Sequence, residues 1–367
     1  MAETSTIVLA SGGTGGHLFP AEALAQELLD RGHKVVILTD KRGHAFKSLG
    51  DRVEIHVVRA ATLRAGIVSK IKAVIDMGLG ILQSFNLLRK IKPAVIVGFG
   101  GYPSFPGVFA GQWMGIPSIL HEQNAVLGKA NVWLANKAIQ IATSLDGTRG
   151  ITPANQNKVS VTGNPVRAGI IAVRNSIYSA PAQELRIFIT GGSQAAQVFS
   201  DVVPEAVGKL SPEMKAKLFV VHQCRKDAIE ATGKKYGSVG IRSETKDFFS
   251  DMPERLQTCH LFIGRAGAST VAEIATVGRP AIFVPYPGHK DMQQKHNAEV
   301  IAAKGGAWVM MQEGFTPETL AEKLQELIQN PVILEKAAAA AKECGQPEAA
   351  KKLADLVESK LPEKKVH

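Results

Sequence analysis

Residues 11–17 read Ser-Gly-Gly-Thr-Gly-Gly-His. They follow the apolar run Ile7-Val8-Leu9-Ala10 and precede a helical pattern that Pro20 is expected to open. Glycine-dense chain turns sharply and lets a bulky group approach the backbone closely. A strand, a glycine turn and a helix N-terminus form an anion site, because N–H groups converge there and the helix dipole adds positive potential. His17 ends the turn, and an imidazole exchanges protons near neutral pH. The chemistry implied is phosphate recognition with acid–base work beside it.

The device recurs at Gly98-Phe99-Gly100-Gly101-Tyr102, at Thr190-Gly191-Gly192-Ser193-Gln194 and at Gly264-Arg265-Ala266-Gly267-Ala268-Ser269-Thr270, each after an apolar run. Two such turns in each half imply two nucleotide-type domains facing a shared cleft. The dinucleotide fingerprint is not met, because its third glycine, counted from Gly13 and Gly15, falls on Leu18. Glu273 follows the fourth turn and can accept hydrogen bonds from two ribose hydroxyls, or simply complement a helix dipole. Gln293 and Gln294 offer donors and acceptors suited to sugar hydroxyls, or are solvated polar residues near a helix start.

The elements positioning these groups alternate. Strands are expected near 6–10, 34–39, 53–58, 94–98, 117–121, 139–143 and 158–161, with helices near 20–31, 68–91, 104–114 and 126–136. A second alternation runs from 185 to about 330. That order predicts α/β domains with parallel, doubly wound sheets. Domains are expected at 1–163 and 164–340, with a helical tail at 341–367 packing back on the first. With 367 residues, 45% hydrophobic, the chain can bury two cores. Three widely spaced cysteines provide neither a disulfide framework nor a zinc spacing, which fits a reducing compartment.

The net charge of +10 is uneven: residues 1–163 carry 17 Lys and Arg against 10 Asp and Glu, the rest 26 against 23. No nucleic-acid motif accompanies the basic half, so an anionic membrane or substrate is the expected partner. Segment 63–92 holds the stripe Ile67, Ile71, Val74, Ile75, Leu79, Leu82, Phe85 and Leu88, bordered by Arg64, Lys70, Lys72, Arg89, Lys90 and Lys92. It reads either as an ordinary packed helix or as an interfacial helix on anionic lipid, loosened midway by Gly78 and Gly80.

Taken in order, Gly12–His17 with Pro20, Gly98–Ser104, His121-Glu122-Gln123-Asn124, Gly163–Arg167, Gly191–Gln194, Arg265–Thr270 with Glu273, and Asp291–Gln294 with Asn297 form a set. Over about 5–360 the sequence resembles the MurG family, the peripheral membrane N-acetylglucosaminyltransferases of peptidoglycan synthesis. The resemblance implies a GT-B fold of two Rossmann-like domains facing a cleft. It implies inverting transfer of GlcNAc from UDP-GlcNAc to the C4 hydroxyl of MurNAc in lipid I (undecaprenyl-diphospho-MurNAc-pentapeptide), giving lipid II and UDP. The place implied is the cytoplasmic face of the bacterial inner membrane, with other cell-wall synthesis proteins as possible partners. Neither cofactor nor metal is implied, and the chain has no Asp-x-Asp.

By that resemblance the donor would touch Thr14, Gly15, Gly16, Asn124, Arg167, Ser193, Gln194, Ala268, Ser269, Thr270, Glu273, Gln293 and Gln294. Gly13, Gly100, Gly101 and Tyr102 would hold the acceptor diphosphate. His17 would be the catalytic base, or would only orient the diphosphate. Lys70, Lys72, Leu79, Leu82, Phe85, Arg89 and Lys90 would meet the membrane. One departure stands out: Ala195 replaces the family's usual glycine. It is expected to be tolerated in a first helical turn, whereas a positive φ there would strain it. Other UDP-sugar enzymes of the same fold remain open, such as an epimerase or a transferase with another acceptor. So does a nicotinamide-dependent oxidoreductase, hinted at by Asp40 closing the second strand.

Overall fold

The structure, a computed structural model, describes residues 4–61, 66–192 and 195–362. It forms two compact units, one of residues 1–167 and 347–367, the other of 168–346. The boundary lies at Arg167, four residues past the expected one, and a short second stretch near the C-terminus completes the first unit.

Unit 1 runs β1 (Thr6–Ala10), α1 (Gly15–Asp30), β2 (Lys34–Thr39), β3 (Glu54–Val57), α2 (Ile67–Ile91), β4 (Val95–Gly98), α3 (Gly101–Trp113), β5 (Ser118–Glu122), α4 (Lys129–Leu134), β6 (Gln140–Thr143) and β7 (Val159–Val161). The seven strands pair in parallel in the order β3-β2-β1-β4-β5-β6-β7. β1 is apolar throughout its buried part because both sheet faces are covered. Ile7 and Leu9 pack with Leu24 and Leu28 of α1. Val8 and Ala10 pack on the other face with Leu88 of α2, Val108 of α3 and Leu134 of α4.

Unit 2 runs α5 (Ala168–Val173), β8 (Leu185–Thr190), α6 (Gln197–Gly208), α7 (Pro212–Ala216), β9 (Leu218–Gln223), α8 (Ile229–Ser238), β10 (Arg242–Lys246), α9 (Met252–Thr258), β11 (Leu261–Gly264), α10 (Ala268–Val277), β12 (Ala281–Phe283), α11 (Gln293–Ala302), β13 (Ala307–Val309), α12 (Pro317–Gln329) and α13 (Pro331–Glu343). Its six parallel strands lie in the order β10-β9-β8-β11-β12-β13. Ile187 and Ile189 pack with Phe199 and Val203 of α6 and with Leu320 and Leu324 of α12.

Several expected boundaries move. α1 begins at Gly15, so Pro20 is its sixth residue rather than its opener, and His17 is already helical. α3 likewise begins at Gly101 with Pro106 sixth. A proline there removes a single backbone hydrogen bond, which burial of the helix outweighs. α4 is shorter than the expected 126–136, because Leu127 N–H is spent on Arg149 C=O. α2 runs unbroken through its glycines. A Cβ at position 80 would lie 1.9 Å from the Arg59 carbonyl oxygen, so Gly80 permits close packing rather than loosening the helix.

The tail splits, leaving α13 in unit 2 and sending α14 (Ala349–Glu358) to unit 1. There Leu353, Ala354 and Val357 complete the α1 face of the core. Arg31 reaches Asp355 and Glu358 at 2.6 Å each, and His33 Nε2 lies 2.9 Å from Glu358. Burial opposes ionisation of Glu358, but hydrogen bonds from His33 and Arg31 outweigh it and hold its pKa below the usual range. A folded pKa below the unfolded one stabilises fully above the unfolded value, roughly 4.3, and is lost as pH falls through the folded value. Hydrogen exchange should therefore show α14 loosening as pH drops below about 4. Glu358→Gln should show that loosening at neutral pH; unchanged protection in the variant would exclude the contribution.

Candidate active site

In each unit the strand order reverses at one point, between β1 and β4 and between β8 and β11. Ligands of doubly wound sheets bind outside the carboxyl ends of the strands at such switch points. All four glycine turns lie there, leading into α1, α3, α6 and α10. None of these helices carries an acidic residue in its first turn, and the residues at their caps, Thr14, Gly100, Ala196 and Gly267, make no side-chain cap among the described residues. Positive potential at these N-termini is thus not neutralised by the chain's own first-turn acids.

In unit 1 the turns of Gly13–Gly16 and Gly100–Tyr102 lie against each other. A Cβ on Gly12 would fall 2.6 Å from Cβ of Pro103, and one on Gly101 would fall 3.2 Å from Nε2 and Cδ2 of His17. His17 Nδ1 lies 2.8 Å from Gln123 Oε1, Gln123 Nε2 lies 2.9 Å from His121 Nδ1, and His121 Nε2 lies 3.0 Å from the Gly163 carbonyl oxygen. His121 is fully buried, and loss of hydration pushes its pKa down to about 4. Asn124 is held by Glu122, whose buried carboxylate accepts from Asn124 N and Nδ2, Gly128 N and Asn131 Nδ2 at 2.8–3.1 Å. Arg167, expected in the second domain, belongs to unit 1, with its guanidinium 4.2 Å from the Phe19 ring centroid. Asp40 accepts from Gly13 N and from Arg42 N, Nε and Nη2. Its carboxylate braces the turn instead of standing ready for a ribose, which removes the hint of an oxidoreductase.

In unit 2, Ser193 and Gln194 lie outside the described residues, as does Arg64 of the basic segment. Beside them Gly192 N–H donates to Thr190 Oγ1, which in turn donates to Gln223 Oε1. Ala268, Ser269 and Thr270 form the first turn of α10. Glu273 is buried one turn further on, past the place where it would only complement the dipole. Asn297 of α11 donates to the Ala266 carbonyl at 3.1 Å and fixes the turn. Gln294 Oε1 accepts from Tyr286 N at 3.0 Å, and Gln293 Nε2 lies 3.0 Å from His289 Nδ1. Arg265, given no role from sequence, donates to the carbonyls of Val284 and Pro285 and to Gln312 Oε1.

Ala195 has φ +49°, correcting the expectation of a first helical turn, since α6 starts two residues later. The left-handed region costs an L-residue about 1–2 kcal/mol. Ala195→Gly removes that strain but gains about 0.4–1 kcal/mol of unfolded-state entropy. The net expectation is stabilisation of up to about 1.5 kcal/mol, read as a raised denaturation midpoint; a lowered midpoint would contradict it.

α2 packs one face inward through Ala73, Gly80, Ser84 and Leu88. Phe85, expected at the membrane, is instead half-buried against that core. The outer face exposes Ile71, Val74, Ile75, Leu79 and Leu82, together with Lys70, Lys72, Arg89 and Lys90. Residues 69–91 are long and apolar enough to cross a membrane by composition, but the inward face belongs to the layer covering the sheet. Sequence reading missed two exposed tryptophans, Trp113 (66% exposed) and Trp133 (70%), on α3 and α4. Phe105 and Phe109 stack beneath them, and Lys137 Nζ lies 5.1 Å from the Trp113 ring.

Residues 7–143 match the glycosyltransferase family 28 N-terminal domain and residues 186–357 its C-terminal domain. A UDP-N-acetylglucosamine–N-acetylmuramyl-(pentapeptide) pyrophosphoryl-undecaprenol N-acetylglucosamine transferase of Rhodospirillum centenum is 49% identical over 353 residues, covering 96% of this chain and 93% of its own. The protein of that name from Paramagnetospirillum magneticum is 44% identical over 359 residues, 97% of each chain. The crystal structure of Acinetobacter baumannii MurG aligns with TM-score 0.77 at 30% identity, covering 97% of this chain and 99% of that one. The S. aureus MnaA–UDP co-structure, at 14% identity and TM-score 0.69 over 97% and 96% of the two chains, shares the fold alone. With both domains matched and relatives this similar along almost its full length, the chain belongs to glycosyltransferase family 28, among the MurG-type N-acetylglucosamine transferases.

Proposed function

We propose that this chain transfers GlcNAc from UDP-GlcNAc to the C4 hydroxyl of MurNAc in undecaprenyl-diphospho-MurNAc-pentapeptide, with inversion, releasing UDP. The observation that carries the reading is His17 at the unit 1 switch point, its Nε2 edge against Gly101 and beside two helix N-termini. The C4 oxygen bonds to the anomeric carbon as the bond from that carbon to the diphosphate breaks. The bonding pair leaves with UDP, and the hydroxyl proton passes to Nε2 of His17.

Unit 2 takes the donor. The N-termini of α6 and α10, with Ser193, Gln194, Ser269 and Thr270, receive its diphosphate, Glu273 its ribose, and Gln293 and Gln294 its sugar. Asn124, Arg167 and Thr14–Gly16 are further donor contacts, while Gly13 and Gly100–Tyr102 receive the acceptor diphosphate. The outer face of α2 with Trp113 and Trp133 rests on anionic phospholipid at the cytoplasmic face of the membrane, where the polyprenyl acceptor resides.

The test is incubation with UDP-GlcNAc and a water-soluble short-chain acceptor, following UDP release and labelled sugar in the acceptor. Glu273→Ala should raise donor KM roughly tenfold or more, as expected for losing a hydrogen bond to a charged group, and leave acceptor KM nearly unchanged. No transfer by the parent overturns the activity; an unmoved donor KM overturns the ribose contact.

A further inference from the structure

We infer that Gln123 and His121 are positioning residues that fix which nitrogen of His17 carries the proton. The inference rests on the reading of His17 as base. The far end of the chain of contacts sets its direction. The Gly163 carbonyl can only accept, so His121 Nε2 carries a hydrogen and donates to it. Its peptide is anchored in turn, because Thr162 and Gly163 N–H groups both reach the Thr143 carbonyl. His121 is fully buried and kept neutral by loss of hydration, so its Nδ1 bears a lone pair. That lone pair takes a hydrogen from Gln123 Nε2, which turns Gln123 Oε1 toward His17. An amide oxygen only accepts, so neutral His17 carries its hydrogen on Nδ1 and leaves Nε2 bare. Nε2 is the atom beside Gly101.

An amide does not pass a proton on under these conditions, so the chain orients and does not shuttle. After Nε2 is protonated, Gln123 Oε1 still accepts from Nδ1–H, and the ring is held through the step. The other ionisable group on this chain of contacts, His121, stays neutral throughout. Neither Gln123 nor His121 has to touch either substrate for this role.

The experiment is a double-mutant cycle with UDP-GlcNAc and the short-chain acceptor. Gln123→Leu should lower kcat roughly tenfold or more while both KM values stay within about threefold, as expected when a catalytic imidazole loses its tautomer. His17→Ala with Gln123→Leu should be no slower than His17→Ala alone, since Gln123 acts only through His17. Gln123→Glu keeps an oxygen for Nδ1–H and should recover turnover, with the acid limb of the kcat profile moved to higher pH because a carboxylate favours the imidazolium. Unchanged kcat in Gln123→Leu, or losses that multiply in the double variant, would overturn the positioning role. If Gln123→Leu does not fold, an unmoved acid limb in Gln123→Glu overturns it. Near-normal kcat in His17→Ala alone defeats the base reading instead, so the two failures are distinguishable.

Discussion

His17→Ala should lower kcat roughly 100-fold or more while donor KM changes little, because general-base catalysis contributes on that order. Alanine is well tolerated in a helical first turn, and the ring gives up one hydrogen bond, to Gln123, so the fold should survive. In this reading the ribose and sugar contacts of the donor, Glu273, Gln293 and Gln294, lie in unit 2, so donor KM serves as an internal control. His17→Gln can still bond a diphosphate oxygen but is no base, and should be as slow as alanine. Near-normal kcat with a raised acceptor KM, restored by glutamine, would make His17 a binding residue only.

Membrane attachment should be lost when the outer face of α2 is changed. On the proposed membrane face, Lys70, Lys72, Arg89 and Lys90 would each contribute about 1 kcal/mol near an anionic surface. Reversing all four to Glu removes at least ~4 kcal/mol, close to 10³-fold in partition. Sedimentation with anionic vesicles should fall to background, while turnover of the short-chain acceptor stays intact. Replacing Ile75, Leu82, Trp113 and Trp133 by Ser should leave binding that salt releases fully, since apolar insertion provides the salt-resistant part. Undiminished sedimentation of both variants would place the membrane contact elsewhere.

Much of this was readable in the chain itself. Apolar runs such as Ile7–Ala10 and Leu185–Ile189 gave strands, and the four glycine turns marked the switch points, because tight turns and buried strands depend on local residue type. Proline misled at one helix start. Pro20 read as an opener, yet it sits sixth in α1, whose buried face outweighs one lost hydrogen bond. The contact of His17 with Gln123 spans 106 residues and has no local signature. Trp113 and Trp133 were isolated letters until α3 and α4 brought them to the surface, over Phe109 and Phe105 respectively. Phe85 shares the helical stripe of Leu82 but falls on its inward edge. Ala195 was expected in a first helical turn but lies two residues before α6, because the backbone angle of a single residue follows from where the next helix begins.

The return of α14 to unit 1 bears on how the protein is made. The core built on β1 lacks Leu353, Ala354 and Val357 until the ribosome has added the 179 residues from 168 to 346 and the helix beyond. At roughly 5–20 residues per second, that interval lasts on the order of ten to forty seconds. Unit 2, contiguous in sequence, can finish first, while the earlier-made half waits with the α14-binding side of α1 uncovered. Nascent unit 1 is therefore the stretch that a ribosome-bound chaperone would need to shield, and translation stalled between 168 and 346 would leave it unsealed.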